Sequence, residues 1–150
     1  MSSRIRFAKL EDLPEIINLC AEHAEFEQTE YHRRGKLEKM RHALFSKDRQ
    51  LKCLIATTDE NDVIGYATFM PQFSTWDAVH YIYMDCLYIR PSYRSQGIGE
   101  RLVQTIKANA ATLDCAWIQW QTPKFNTRAI QFYERIGAVG KSKERFFLAV

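Results

Sequence analysis

The chain has 150 residues, 46% hydrophobic and 26% charged, with a formal net charge of +3 at pH 7. That is the length and composition of one soluble domain able to bury about 70% of its unfolded surface. The charge is small and dispersed, with no Lys/Arg run beyond two residues, which argues against nucleic acid as a partner. The absence of a long apolar run argues against a signal peptide or membrane span, so a cytoplasmic protein is expected.

Ile5 and Phe7 alternate with Arg4 and Arg6 and predict a short first strand. Leu13, Ile16, Ile17 and Cys20 fall at helical spacing behind Asp12 and Pro14, a helix start. After a polar stretch from Glu22 to Gly35, Leu37, Met40, Ala43 and Leu44 predict a second helix. Leu51 to Thr57 and Val63 to Met70 read as a hairpin around the turn Asp59–Asp62. A loop over Phe73 to Asp77 leads into a long aromatic strand, Val79 to Ile89. A third helix carries the stripe Ile98, Leu102, Val103 and Ile106. A buried strand, Ala116 to Gln121, and a fourth helix, Thr127 to Ile136, follow, with Gly137 as its C′ residue. Val139 to Lys141 and Arg145 to Ala149 would close the fold as a strand pair. This order predicts a single α/β domain over residues 1–150 with a mixed central sheet.

Cys20, Cys53, Cys86 and Cys115 form no C-x-x-C pair and read as free thiols in apolar settings. His23, His32, His42 and His80 lack metal-ligand spacing, so no metal is expected.

The most informative stretch is Arg94-Ser-Gln-Gly97-Ile-Gly99, which stands between a strand and a helix. Glycine lets the backbone come close to a ligand. The helix start offers unpaired N–H groups and the positive end of the dipole, a site for phosphate. Arg90, Arg94 and Arg101 are near enough in sequence to pair with it. The spacing is neither that of a P-loop nor G-x-G-x-x-G.

The loop, preceded by Leu-Tyr-Ile-Arg-Pro-Ser-Tyr, resembles the acyl-CoA signature of the GNAT N-acetyltransferase superfamily. A second segment, Asn126-Thr-Arg-Ala-Ile-Gln-Phe-Tyr133-Glu-Arg-Ile-Gly137-Ala138, is similar to that superfamily's N-x-x-A-x-x-x-Y-x-x-x-G pattern. The resemblance implies a six- to seven-stranded, mostly antiparallel sheet flanked by four helices and splayed between strands four and five. It implies acetyl-CoA as cosubstrate, held by Arg94, Ser95, Gln96, Gly97, Ile98 and Gly99, by the main chain of Cys86, Leu87, Tyr88 and Ile89, and by Asn126 and Arg128. It further implies Tyr133 as the acid that protonates the departing thiolate.

A glutamate that precedes the fourth-strand motif in polyamine-type members falls on Asp85 here, or on Met84 if the count slips by one. Asp85 would act as a base through a water. "HAEFEQTE" is similar to the amine-site segment of spermidine/spermine and thialysine acetyltransferases, with Phe26 and Glu27 matching best. Trp76 resembles a loop residue of the same enzymes, although Ser74 and Thr75 replace the acid expected before it. The implied acceptor is a small cationic amine: a polyamine, diamine, basic amino acid or aminoglycoside. A protein lysine or N-terminus is an alternative acceptor. A non-catalytic acyl-CoA-binding module is an alternative of a different class. Related enzymes are often dimers, so a homodimer is expected, with Phe73 and Trp76 as candidate interface residues.

Overall fold

The computed structural model describes residues 2–150. Five strands form one sheet in sequence order: β1 (Ser3–Phe7), β2 (Lys52–Thr58), β3 (Val63–Ser74), β4 (Val79–Ile89) and β5 (Ile118–Gln119). The first four pair antiparallel, and β5 runs parallel to β4. Among the described residues four α-helices flank the sheet: α1 (Leu13–Phe26), α2 (Lys36–Phe45), α3 (Ile98–Thr112) and α4 (Thr127–Arg135).

The sheet is buried on both faces, which is why β2 and the first seven residues of β3 read as nearly continuous apolar runs. Leu13, Ile16 and Leu19 of α1 and Leu44 of α2 cover Cys53, Ile55 and Tyr66 on one face. Ile98, Leu102, Val103 and Ile106 of α3, the stripe read from the sequence, cover Leu54, Phe69, Ile82 and Met84 on the other. Asp12, 7% exposed, anchors the start of α1. Its carboxylate accepts from the Arg6 guanidinium at 2.7 and 3.0 Å and from the Lys9 N–H at 2.6 Å. Gly65 lets β3 and β4 approach closely, since a Cβ there would lie 2.5 Å from Ile89 Cδ1 and 2.9 Å from the Tyr88 carbonyl.

Two features of β4 prepare the site. Thr68 pairs with Cys86 and Phe69 with Met84, so Asp85 is an extra residue, a β-bulge. The bulge reverses the alternation of the strand. Before it, Ile82 and Met84 face α3; after it, Leu87 and Ile89 face α3 while Cys86 and Tyr88 face α1. Secondly, β5 pairs with β4 only at Ile82–Ile118 and Tyr83–Gln119. Beyond Tyr83 the two strands part, as the sequence resemblance implied, and that edge of β4 has no strand partner among the described residues as far as Ile89, whose carbonyl accepts from Arg94 Nε at 2.8 Å.

The predicted closing strands do not form. Val139–Lys141 and Arg145–Ala149 have no strand pairing, and Val139, Phe146, Phe147 and Leu148 are exposed. The sheet therefore has five strands among the described residues rather than six or seven. The physical reason is the short reach of β5: a two-residue ladder offers too little regular edge to extend the sheet.

Candidate active site

The gap between β4 and β5 opens into a cavity of about 910 Å³, walled by the end of α1, the bulge of β4, the glycine loop with the start of α3, and α4. At the loop, Gly97 is the residue before α3 and adopts φ +75°, a left-handed conformation that favours glycine. Gly99 is needed for a different reason. A Cβ there would come 3.3 Å from the Phe132 ring, so its absence lets α4 close onto α3.

The three arginines near the loop have separate fates. Arg90 is taken up structurally: it donates to Glu15 at 2.9 Å, to Glu22 at 3.0 Å and to the Val63 carbonyl at 2.8 Å. Arg101 donates to the Ser3 hydroxyl and carbonyl at 2.8 and 2.7 Å. Arg94 lines the cavity, with its guanidinium 4.4 Å from the Phe26 ring centre and 5.3 Å from that of Tyr88. Arg128 enters from α4 and donates to the Ser95 hydroxyl at 3.0 Å.

Cys86, Leu87, Tyr88, Ile89, Arg94, Ser95, Gly97, Ile98, Gly99, Asn126 and Arg128 all line this one cavity, as do Phe26, Glu27, Asp85 and Tyr133. Two candidates do not. Gln96 turns away, its amide 3.5 Å from the Ser92 carbonyl. Trp76 sits at the tip of the β3–β4 hairpin, 97% exposed, because β4 carries that tip away from the bulge. Asp85 is the extra residue at the bulge, and Met84 before it is buried in the core. Asn126 caps α4, accepting from the Ala129 N–H at 3.4 Å.

The electrostatics of the wall are distinctive. Burial, then the charges of Glu27 and Cys86, push the Tyr133 phenol up to about 12, so at neutral pH it carries its proton. Trp120 packs edge-on against it at 5.0 Å. Burial raises Glu27 above the usual carboxylate range, against the pull of the Arg145 cation and with the help of the Asp85 charge. Burial, then Asp85, push the Cys86 thiol up to about 12, which keeps it protonated and a poor nucleophile. Glu27, Asp85, Cys86 and Tyr133 are thus close enough to sense one another's charge.

Sequence reasoning did not single out several wall residues. His23 begins the HAEFEQTE segment and Tyr93 ends the run before the glycine loop, but the sequence assigns neither a role; Trp120 and Gln121 come from a strand read as core, and Lys143 and Arg145 from the segment expected to pair as strands. Gln121, whose amide donates to the Tyr83 hydroxyl at 3.1 Å, lies just beyond the end of β5.

Residues 10–138 match the family described as the acetyltransferase (GNAT) family. The chain belongs to that family. It is 28% identical over 144 residues to a thialysine N-epsilon-acetyltransferase of Mus musculus, covering 91% of this chain and 84% of that protein. Over 80 residues it is 31% identical to an L-ornithine N5-acetyltransferase of Arabidopsis thaliana, covering 52% of this chain and 35% of that one. In fold it is similar to the crystal structure of a ribosomal-protein-alanine N-acetyltransferase from Brucella melitensis, with TM-score 0.81 and 20% identity, covering 99% of this chain and 100% of the other. This GNAT chain is therefore an acetyltransferase, and the family's cosubstrate is acetyl-CoA.

Proposed function

We propose that this acetyltransferase moves an acetyl group from acetyl-CoA to a primary amine of a small cationic substrate, by direct attack of the amine. One observation carries the proposal: a carboxylate at a β-bulge, a protonated phenol and a glycine-lined helix start share the walls of one cavity. When bound, acetyl-CoA supplies the thioester from which the acetyl group passes, with the CoA thiol as leaving group.

Gly97, Gly99 and the N–H groups at the start of α3, with Arg94 and Arg128, supply the anion-binding surface its phosphates need. The edge of β4 from Asp85 to Ile89, past its pairing with β5, supplies main-chain donors and acceptors for the pantetheine arm, and an N–H there would stabilise charge on the thioester oxygen. Alkylammonium groups have a pKa of about 10, so the amine must shed a proton near neutral pH. Asp85 takes that proton through a water. Tyr133, still protonated, gives its own proton to the departing sulfur and is recharged from solvent.

Glu27 and Asp85, with Phe26 beside them, make the acceptor end anionic and partly apolar, which suits an alkylammonium chain. The name of the mouse relative, a thialysine acetyltransferase, points to the same chemistry. The proposal includes a cytoplasmic homodimer, for which exposed Trp76, Phe146, Phe147 and Leu148 offer apolar surface. Light scattering at micromolar concentration checks it, and a monomer removes it.

The test of function is thiol release from acetyl-CoA against spermidine, putrescine, lysine, thialysine, an aminoglycoside and a lysine peptide. Turnover with a small cationic amine, lost in Tyr133→Phe, is expected. Turnover with the peptide alone would move the acceptor to protein, and thiol release with no amine would abolish the acceptor assignment.

A further inference from the structure

Glu27 stands at an unfavourable place for an anion. It is the residue after α1, where the helix presents its negative end. Its carboxylate is nonetheless held: Oε2 lies 2.9 Å from Nε2 of His23, one turn earlier. The opposite ring nitrogen of His23, Nδ1, lies 3.0 Å from the hydroxyl of Tyr66, 43 residues away on β3. Tyr66 is 1% exposed, and burial drives its phenol far above the ordinary range, so it keeps its proton. The imidazole is also stacked on Tyr88, with ring centres 5.2 Å apart and planes 22° from parallel. It is therefore fixed in position, tilt and rotation.

The chemistry selects one tautomer. A bare Nε2 at 2.9 Å from a carboxylate would set lone pair against lone pair. The arrangement is satisfied if Tyr66 donates to Nδ1 and Nε2–H donates to Glu27. Burial, then the Arg94 charge, hold the imidazole neutral, down to about 4. The contact is thus a neutral N–H donating to a carboxylate, not an ion pair. One oxygen of Glu27 is committed to this bond, and the residue lines the cavity.

We propose that His23 is a positioning residue for the acceptor amine: locked by Tyr66 and Tyr88, its Nε2–H orients the Glu27 carboxylate so that the second oxygen receives an ammonium of the substrate. The proposal rests on the amine-acetyltransferase function argued above. His23 touches neither reacting group, so its effect is on amine binding. His23→Leu removes the donor at similar volume. His23→Gln retains an amide that can accept from Tyr66 and donate to Glu27.

In His23→Leu the KM for the amine should rise about tenfold or more, the scale of one lost hydrogen bond to a charged group. The KM for acetyl-CoA should stay within about twofold, since the bond lost faces the amine end. His23→Gln should recover most of the loss. An unchanged amine KM in His23→Leu would overturn the proposal. So would equal losses in both variants, which would mark a role in shape alone. If His23→Leu does not fold, the ¹⁵N spectrum of the wild-type imidazole decides: an Nε2–H tautomer that responds to Glu27→Gln supports the proposal, and an Nδ1–H tautomer ends it. Wild-type protein that acetylates no amine overturns the functional reading and the positioning role together. Active wild type with a kinetically silent His23→Leu overturns only the latter.

Discussion

Acidification should weaken this protein before its tightly held carboxylates titrate, and the cause is His23. The imidazole is 13% exposed and holds a pKa of about 4 against 6.5 in the unfolded chain. Below pH 6.5 the unfolded chain takes up a proton that the folded chain refuses, so the unfolded state binds more protons and stability falls with pH. The contribution is present in full above pH 6.5 and is lost as pH drops toward about 4. A shift of about 2.5 units at 1.36 kcal/mol each is about 3 kcal/mol, a large share of a stability of about 5–15 kcal/mol. Glu27 acts in the opposite sense, because burial raises it and its ionisation on raising the pH costs stability. Asp12 and Glu15 are held below their unfolded values of 3.8 and 4.5, so their losses begin at the acid end of this window and continue beneath it. Urea unfolding of wild type and His23→Gln between pH about 7.5 and 4 separates these terms. The wild type should lose about 2–3 kcal/mol more than the variant over that span. Parallel curves for the two proteins would refute the reasoning.

Tyr133→Phe should cut kcat about 100-fold, the lower range for loss of a general acid, with the KM for acetyl-CoA nearly unchanged in steady-state assays. Arg94→Ala should raise the KM for acetyl-CoA about tenfold through loss of a charge-assisted contact. Arg90→Gln should instead lower stability by about 1 kcal/mol in denaturant titrations and leave that KM alone, since Arg90 is spent on Glu15, Glu22 and Val63. Gly65→Ala should cost about 1–3 kcal/mol, because the Tyr88 carbonyl at 2.9 Å cannot swing aside as the Ile89 side chain can. A wild-type melting temperature in that variant would show that β3 and β4 separate more easily than their pairing indicates.

What the sequence disclosed, and what it hid, follows from the range of the interactions. β4 runs from Val79 to Ile89 as its aromatic pattern indicated, and α3 buries the four residues its spacing picked out. Both signals are local. The position matching the relatives' glutamate falls on Asp85 or, with a slip of one, on Met84, and a bulge leaves no mark in the sequence by which to fix the count. Arg90, Arg94 and Arg101 are chemically identical in the sequence, and only long-range partners such as Glu15 and Ser3 separate them. His23 and Glu27 stand in the quoted HAEFEQTE segment, but their link to Tyr66, 43 residues away, has no local signal. The alternating residues near Val139 and Phe147 resemble strands, but pattern alone does not supply an edge to pair with.

The extra residue of β4 has a consequence for how this chain can vary. Asp85 is exposed and its side chain supports no packing, so substitutions there should alter chemistry while leaving the fold intact. Removing the position altogether should spare the packing as well. With one residue fewer the ladder would run unbroken, and Cys86 through Ile89 would keep the sides of the sheet they now face, because Met84 and Cys86 already pair with neighbouring residues of β3. Tyr88 would still stack on His23, and Leu87 would still pack toward α3. At this point the scaffold tolerates a change of letter and the loss of the letter alike, so a chain lacking Asp85 should melt as a folded protein while it lacks the carboxylate at the bend.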